Sequence, residues 1–320
     1  MMILTRTPLR ISFLGGGSDM PEYCDRFVGK VLSTSIDKYM YVAVNKTPKD
    51  HYKVVYDSIE IKNNVEDINH TRVKNVLKRY EIDPGYEISS FCEFPTKGTG
   101  LGSSSSYTVA LIHSFMNEMK QQELAKEAYD VERNMCGESL GMQDQIAAAC
   151  GGFNKIEMYE GDFKVEPMGP VSVNQLQTNL MMFYTGIRRD ANDILIKQAD
   201  LVRSNSNSIE MLRHMVLQVD EGIKLLKNDK LDDFGHLIGQ SWAYKKSMNM
   251  SVTNEYIDQY YEDAMKAGAI GGKLLGAGGG GFLLFYVKPE NQQRVRDALS
   301  DLKEFDFNFE FEGSKVVYNQ

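Results

Sequence analysis

Residues 95–106 read PTKGTGLGSSSS and run straight into a 3.6-residue period. Tyr107, Leu111, Phe115 and Met119 fall four apart, and Ile112 and Met116 widen the stripe, so the serines open an amphipathic helix. Gly98, Gly100 and Gly102 alternate just before it. Glycine crowded this closely points to unusual backbone angles or to a close approach of the backbone to a ligand. Free N–H groups at the helix start, the positive end of its dipole and the hydroxyls of Ser103, Ser104, Ser105 and Ser106 together form an anion site, for which phosphate is the natural occupant. A serine-capped helix after a flexible turn is the plainer alternative.

Two more glycine groups lie far from this one, Gly15 to Gly17 near the start and Gly271, Gly272, Gly276 and Gly278 to Gly281 near the end. Turn geometry explains any one group and explains three poorly. Familiar nucleotide motifs fail on context. There is no G-K-[ST], so the 95–106 loop is not a Walker A loop. Gly276, Gly278 and Gly281 satisfy G-x-G-x-x-G, but FLLFYV (282–287) follows, a strand where a dinucleotide fold requires a helix. Asp233-Phe234-Gly235 spells the protein-kinase D-F-G inside a helical pattern with no H-R-D anywhere, and is read as chance.

Outward from the glycines, residues 31–44, 51–62 and 86–94 are rich in β-branched and aromatic residues and read as strands, with a helix around 67–80. Leu124, Ala128, Val131 and Met135 mark a helix, and Ile209, Leu212, Val216, Val219, Ile223 and Leu226 mark the clearest amphipathic one. Helices over 191–203, 229–245 and 254–267 flank it. Phe305, Phe307, Phe309 and Phe311 alternate with acidic or polar residues over 304–312, the pattern of a strand with one wet face. This order predicts an α+β protein of two lobes, 1–170 and 171–320, parted near Pro167, Gly169 and Pro170.

Composition narrows the function. A chain of 320 residues with 42% hydrophobic and 25% charged residues is an ordinary folded protein with room for two cores. Its net charge of −8 offers no global field for nucleic acid or an anionic membrane, so an anionic substrate needs a local basic pocket. The longest apolar runs are far shorter than a membrane helix, and MMILTRTPLR places two arginines where a signal peptide needs an apolar core. A cytoplasmic protein is expected. Cys24, Cys92, Cys136 and Cys150 form no C-x-x-C pair, and the five histidines form no H-E-x-x-H, which leaves metal binding by either type without support. Oligomeric state is not encoded in any of these features.

Three segments, RTPLRISFLGGGSD (6–19), PTKGTGLGSSSS (95–106) and KLLGAGGGGF (273–282), together resemble the GHMP small-molecule kinases, in that family's order. Within it, GGGSDMPEY (15–23) and TGIRRDANDIL (185–195) are similar to sugar kinases of the D-glycero-D-manno-heptose 7-phosphate kinase type. Galactokinases carry a Glu-His pair where this chain has Gly16 and Gly17, a departure from galactose as acceptor. The resemblance implies a two-lobed GHMP kinase fold, with an N-terminal lobe like ribosomal protein S5 domain 2, a ferredoxin-like C-terminal lobe, and ATP with Mg²⁺ between them.

It also implies roles. Asp144 would accept or orient the proton of the sugar hydroxyl, and Arg10 would stabilise transferred phosphoryl charge beside it. Gly98, Gly100, Leu101, Gly102 and Ser103 to Ser106 would cradle ATP, with Ser104 and Glu132 as magnesium ligands. Gly17, Ser18, Asp19, Gly278 and Gly279 would face the sugar, and Arg188, Arg189 and Lys273 would hold a second phosphate that is not transferred. The expected reaction is phosphorylation of the anomeric hydroxyl of a heptose 7-phosphate. The alternatives are an unphosphorylated hexose of the fucose or galactose type as acceptor, and a non-catalytic sugar sensor.

Overall fold

The long pair at the chain's start sets the architecture of the first lobe. Strand β1 (Met2–Leu14) runs antiparallel to β2 (Gly29–Lys46), with bulges after Pro8 and Ser12 that re-aim its second half. The computed structural model describes residues 1–94, 98–169, 173–187 and 191–320. After a short helix α1 (Pro21–Cys24), β2 leads to a hairpin of β3 (Tyr52–Val55) and β4 (Ile59–Lys62), then to α2 (Thr71–Arg79) and β5 (Tyr86–Cys92). Helices α3 (Ser103–Phe115), α4 (Gln121–Asp130) and α5 (Gln143–Cys150) follow, then β6 (Phe153–Tyr159) and β7 (Asp162–Pro167).

The second half holds α6 (Val173–Thr178), β8 (Leu180–Tyr184), α7 (Ala191–Ser204), α8 (Ser206–Lys227), α9 (Leu231–Met248) and α10 (Glu255–Ala267). It continues with β9 (Ala269–Leu274), β10 (Phe282–Val287), α11 (Pro289–Ala298), β11 (Lys303–Glu304), β12 (Phe309–Glu310) and β13 (Lys315–Asn319). Among the described residues the strands form two sheets. One runs β13-β1-β2-β5-β3-β4, with β12 and β6 also on β2 and β7 on β6. The other is β11-β8-β10-β9. Helices α3, α4 and α5 share an apolar cluster with the first sheet. The six fully buried residues of β10, FLLFYV, are flanked by β8 and β9 and divide between two further clusters. No helix among the described residues is long and apolar enough to cross a membrane.

Three expectations need correction. The alternating phenylalanines of 304–312 do not form one strand. Lys303 and Glu304 pair with β8 in the second sheet, while Phe309 and Glu310 pair with β2 in the first, so the segment crosses from sheet to sheet and its alternation serves two cores. The first lobe is not contiguous. β12 and β13 close the first sheet, so the proposed division at 170/171 must return 309–319 to the first unit. Finally, the helix expected through Met135 ends as an α-helix at Asp130 and runs on as a π-turn, Val131–Met135. Wide turns of this kind are often found at functional sites, and this one carries Glu132.

Candidate active site

Helix α3 begins on Gly102, whose left-handed backbone (φ +73°) makes it the N-cap, and no side chain caps the helix. The serine-capped alternative is therefore not what the structure adopts. A Cβ on Gly102 would stand 3.2 Å from the Arg10 side chain and 3.4 Å from the Asp144 carboxylate, so the bare backbone lets both groups close over the helix start. Arg10 lies in the second half of β1, and its backbone N–H donates to the Leu101 carbonyl at 3.0 Å. Its guanidinium donates from Nε to Asp144 Oδ1 and from Nη2 to Asp144 Oδ2, both at 2.8 Å, and from Nη1 to the Gly100 carbonyl at 2.6 Å. A forked cation thus ties the glycine turn to a carboxylate in the first turn of α5.

Around this pair lies a cavity of about 610 Å³, lined by residues of both halves of the chain, among them Ser12, Asp19, Gln143, Gln198, Trp242 and Lys245. Asp19 is buried. Its Oδ1 accepts from the Gly17 N–H and from the Gln143 amide, both at 2.9 Å, and burial, reinforced by the negative charge of Asp144, pushes its pKa up. Lys245 reaches in from α9 and donates to the Gly276 carbonyl at 2.5 Å. Burial first, and then Arg10, push its pKa down to about 8, against the opposing pull of Asp19 and Asp144.

The expected residues separate into those that line this cavity and those that build it. Gly17, Asp19, Gly98, Gly100, Gly102, Ser103, Ser104, Ser105, Arg10, Asp144 and Lys273 line it. Leu101 and Ser106 are buried behind the turn, where the Ser106 hydroxyl donates to the Pro8 carbonyl at 2.8 Å. The buried Ser18 hydroxyl donates to the Gly15 and Lys30 carbonyls, so it shapes the loop from behind. Gly278 and Gly279 are not among the lining residues. They pack on the turn after α9, where the Gly279 N–H donates to the Val252 carbonyl at 2.7 Å. The Lys273 ammonium faces carbonyls of β1, donating to Ser12 and Phe13 at 2.8 and 2.9 Å. Burial, with Lys245 and Arg10 beside it, pushes its pKa well down, which makes it a weak anchor for a second phosphate. Arg188 and Arg189 lie outside the described residues.

Magnesium is the cation the resemblance calls for, and the ligand pair expected for it does not fit. Glu132 is fully buried and absent from the cavity lining. Its Oε1 accepts from Thr108 at 2.6 Å and Arg72 at 3.0 Å, and its Oε2 from Ser105 at 2.8 Å and from Gln145. Four donors saturate a carboxylate. Ser104 is exposed toward the cleft, but no group of three or more His, Cys, Asp or Glu gathers among the described residues. Glu132 therefore acts as a clamp that fixes α3, α5 and, through Arg72, α2.

Several cavity residues escaped the sequence reading, Gln143, Gln198 and Trp242 among them, and two others are cationic. Arg72 bridges Glu132 and Glu138, at 3.0 and 2.6 Å. Lys245 continues the buried stripe of Leu237, Ile238, Ser241 and Trp242 on α9.

Comparison with known proteins identifies the family. Residues 69–152 match the GHMP kinases N terminal domain and residues 223–304 match the GHMP kinases C terminal domain. The chain belongs to the GHMP kinases, with the two-lobed fold of that family. It is 31% identical to D-glycero-alpha-D-manno-heptose 7-phosphate kinase of Campylobacter jejuni, over 98% of both chains. The solved structure of a D-glycero-D-manno-heptose 1-phosphate kinase from Bacteroides thetaiotaomicron superposes with a TM-score of 0.80 at 25% identity, covering 99% of both chains. The bifunctional fucokinase/GDP-fucose pyrophosphorylase of Arabidopsis thaliana is 25% identical over 93% of this chain, which spans 31% of that longer protein.

Proposed function

We propose that this chain is a carbohydrate kinase that transfers the γ-phosphoryl group of ATP to the anomeric hydroxyl of D-glycero-D-manno-heptose 7-phosphate, giving the 1,7-bisphosphate and ADP. The observation that carries the reading is the Arg10–Asp144 fork at the uncapped start of α3, inside one cavity with Asp19. Phosphoryl transfer asks a protein mainly for positioning and for stabilisation of charge. The N–H groups and hydroxyls at the start of α3 would receive the ATP phosphates. Asp144 would accept the proton as the sugar oxygen forms its bond to phosphorus and the bond to ADP breaks. Arg10 would hold Asp144 in place and meet the charge of the transferring group. Asp19 and Gln143 would orient the neighbouring sugar hydroxyls.

Support for a heptose monophosphate comes from the two relatives named for such substrates, one for the 7-phosphate and one for the 1-phosphate. A second reading, an unphosphorylated hexose as acceptor, draws on the similarity to the fucokinase. A silent sensor of sugar and ATP has no need to keep a base and an arginine in this contact. An ADP-release assay with heptose 7-phosphate, heptose 1-phosphate, mannose 6-phosphate, galactose and fucose separates the readings, with Asp144→Asn as blank. Turnover of the 7-phosphate alone is the expected result, turnover of only neutral sugars favours the second reading, and silence throughout favours a different acceptor or the sensor.

A further inference from the structure

The polar groups of the cavity divide into two sets. Beside the Arg10–Asp144 pair are acceptors: Asp19 offers a carboxylate, and Gln143, whose amide nitrogen is fixed on Asp19, has a buried Oε1 with no partner among the described residues. The wall built by α7 and α9 donates instead. The Gln198 amide nitrogen and the Trp242 indole N–H are buried with no partner among the described residues, in side chains 2% and 1% exposed. Lys245 adds an ammonium with three N–H bonds, one of them spent on Gly276. Trp242 and Lys245 stand three apart on one face of α9. Ile194, one turn before Gln198 on α7, packs in the same apolar cluster as Trp242, which brings the two helices to one wall.

Three buried donors, one cationic, suit a ligand that supplies acceptors and negative charge, because a buried donor without an acceptor keeps the cost of its lost hydration. A sugar hydroxyl carries a proton that must itself be placed. A phosphate monoester carries acceptor oxygens on every side. We infer that Gln198, Trp242 and Lys245 bind the phosphate that the acceptor sugar already bears. The inference rests on the kinase reading above and moves the role expected of Lys273 to Lys245. Burial makes the Lys245 ammonium costly, and an arriving anion offsets that cost.

Steady-state kinetics on the full chain tests this with Lys245→Met and Trp242→Phe, using D-glycero-D-manno-heptose 7-phosphate and the same heptose without phosphate. Where turnover of the free heptose is too slow, its inhibition constant is read instead. Loss of a hydrogen bond to a charged group predicts that KM for the phosphate rises about 10- to 100-fold in Lys245→Met and about tenfold in Trp242→Phe. In Trp242→Phe, which leaves the Lys245–Gly276 contact in place, the constants for ATP and for the free heptose stay unchanged. An equal rise for both sugars, a fall in kcat with KM intact, or no change in either variant overturns the inference. Lys245 also holds the Gly276 carbonyl, so if Lys245→Met does not fold, Trp242→Phe, which keeps most of the ring, carries the test alone. Wild-type protein that turns over no sugar monophosphate defeats the underlying reading and this inference with it. Wild-type turnover with unaffected variants defeats the inference only.

Discussion

Arg10 donates to both oxygens of Asp144 and to the Gly100 carbonyl, a three-point contact that only a guanidinium can make. Asp144→Asn removes the proton acceptor and turns an N–H toward Arg10. Turnover should fall by about 10²- to 10⁴-fold in an ADP-release assay, while calorimetric ATP binding stays near that of the wild type. Unchanged turnover would place the base elsewhere. Arg10→Lys keeps the charge and loses the fork, so kcat should fall about 10- to 100-fold, with the protein still folded by circular dichroism. Lys245 adds a pH signature. Its pKa of about 8 reflects burial and Arg10, opposed by Asp19 and Asp144, with Lys273 also nearby. Below that pH the group is charged, and above it the cation is lost. For a substrate whose phosphate it holds, kcat/KM should therefore fall above about pH 8 and lose that limb in Lys245→Met. Of these residues, Arg10 and Asp19 were legible because they stand in the first of three motifs of fixed order, and Asp144 through the role the family resemblance implies for it. Lys245 was not, since a lysine in a helix ordinarily reads as the wet face, and only a desolvated cavity makes it otherwise.

The glycines act differently as elements than as letters. Gly100 (φ +78°) lies so close to the second half of the chain that a Cβ would stand 2.3 Å from the Leu275 carbonyl. One on Gly276 would stand 2.4 Å from the Gly100 Cα, and the Phe282 N–H donates to the Thr99 carbonyl at 3.2 Å. The second and third glycine motifs therefore interlock backbone to backbone. The alternation read before α3 serves the phosphate turn and this seam together, and sequence alone could not say which partner the close approach was for. Gly100→Ala should strain the turn and push the seam apart, lowering Tm and raising KM for ATP together. A rise in KM with unaltered Tm would mean that the seam tolerates the methyl group. Glu132 teaches the same point through burial. Its helix and its spacing of 12 from Asp144 were legible, but its four donors come from three other elements. Glu132→Ala leaves the Arg72 charge without its buried partner, and a loss of about 3–5 kcal/mol in denaturant unfolding is expected. Stability within 1 kcal/mol of wild type, on the order of an exposed pair, would show that Glu132 is not a structural clamp.

At the scale of the whole molecule, the chain's last residues fasten the site from behind. The Ser314 hydroxyl bonds to Thr7 on β1 at 2.7 Å and to His113 on α3 at 2.8 Å. Its N–H donates to the Ala148 carbonyl at 3.0 Å, and the Gly152 N–H donates to the Glu310 carbonyl at 2.9 Å. The segment thus straps the three elements that carry Arg10, the serine turn and Asp144, and it holds α5 at the end opposite Asp144. The alternating phenylalanines announced a strand there. They could not announce that the strand would divide, because which sheet a residue pairs with depends on contacts made more than a hundred residues away. A division of the chain into contiguous halves predicts that deleting residues 309–320 disturbs the second sheet. The pairing predicts the reverse. Removal of β12 and β13 should raise amide exchange in β1, α3 and α5, where local opening becomes less costly, and leave β8, β9 and β10 protected. It should also lower kcat more than it raises KM for the sugar, because the loosened element carries the base and not the helical wall of α7 and α9. Exchange that rises first in the second sheet, or a deletion that spares kcat, would show that the strap does not position Asp144.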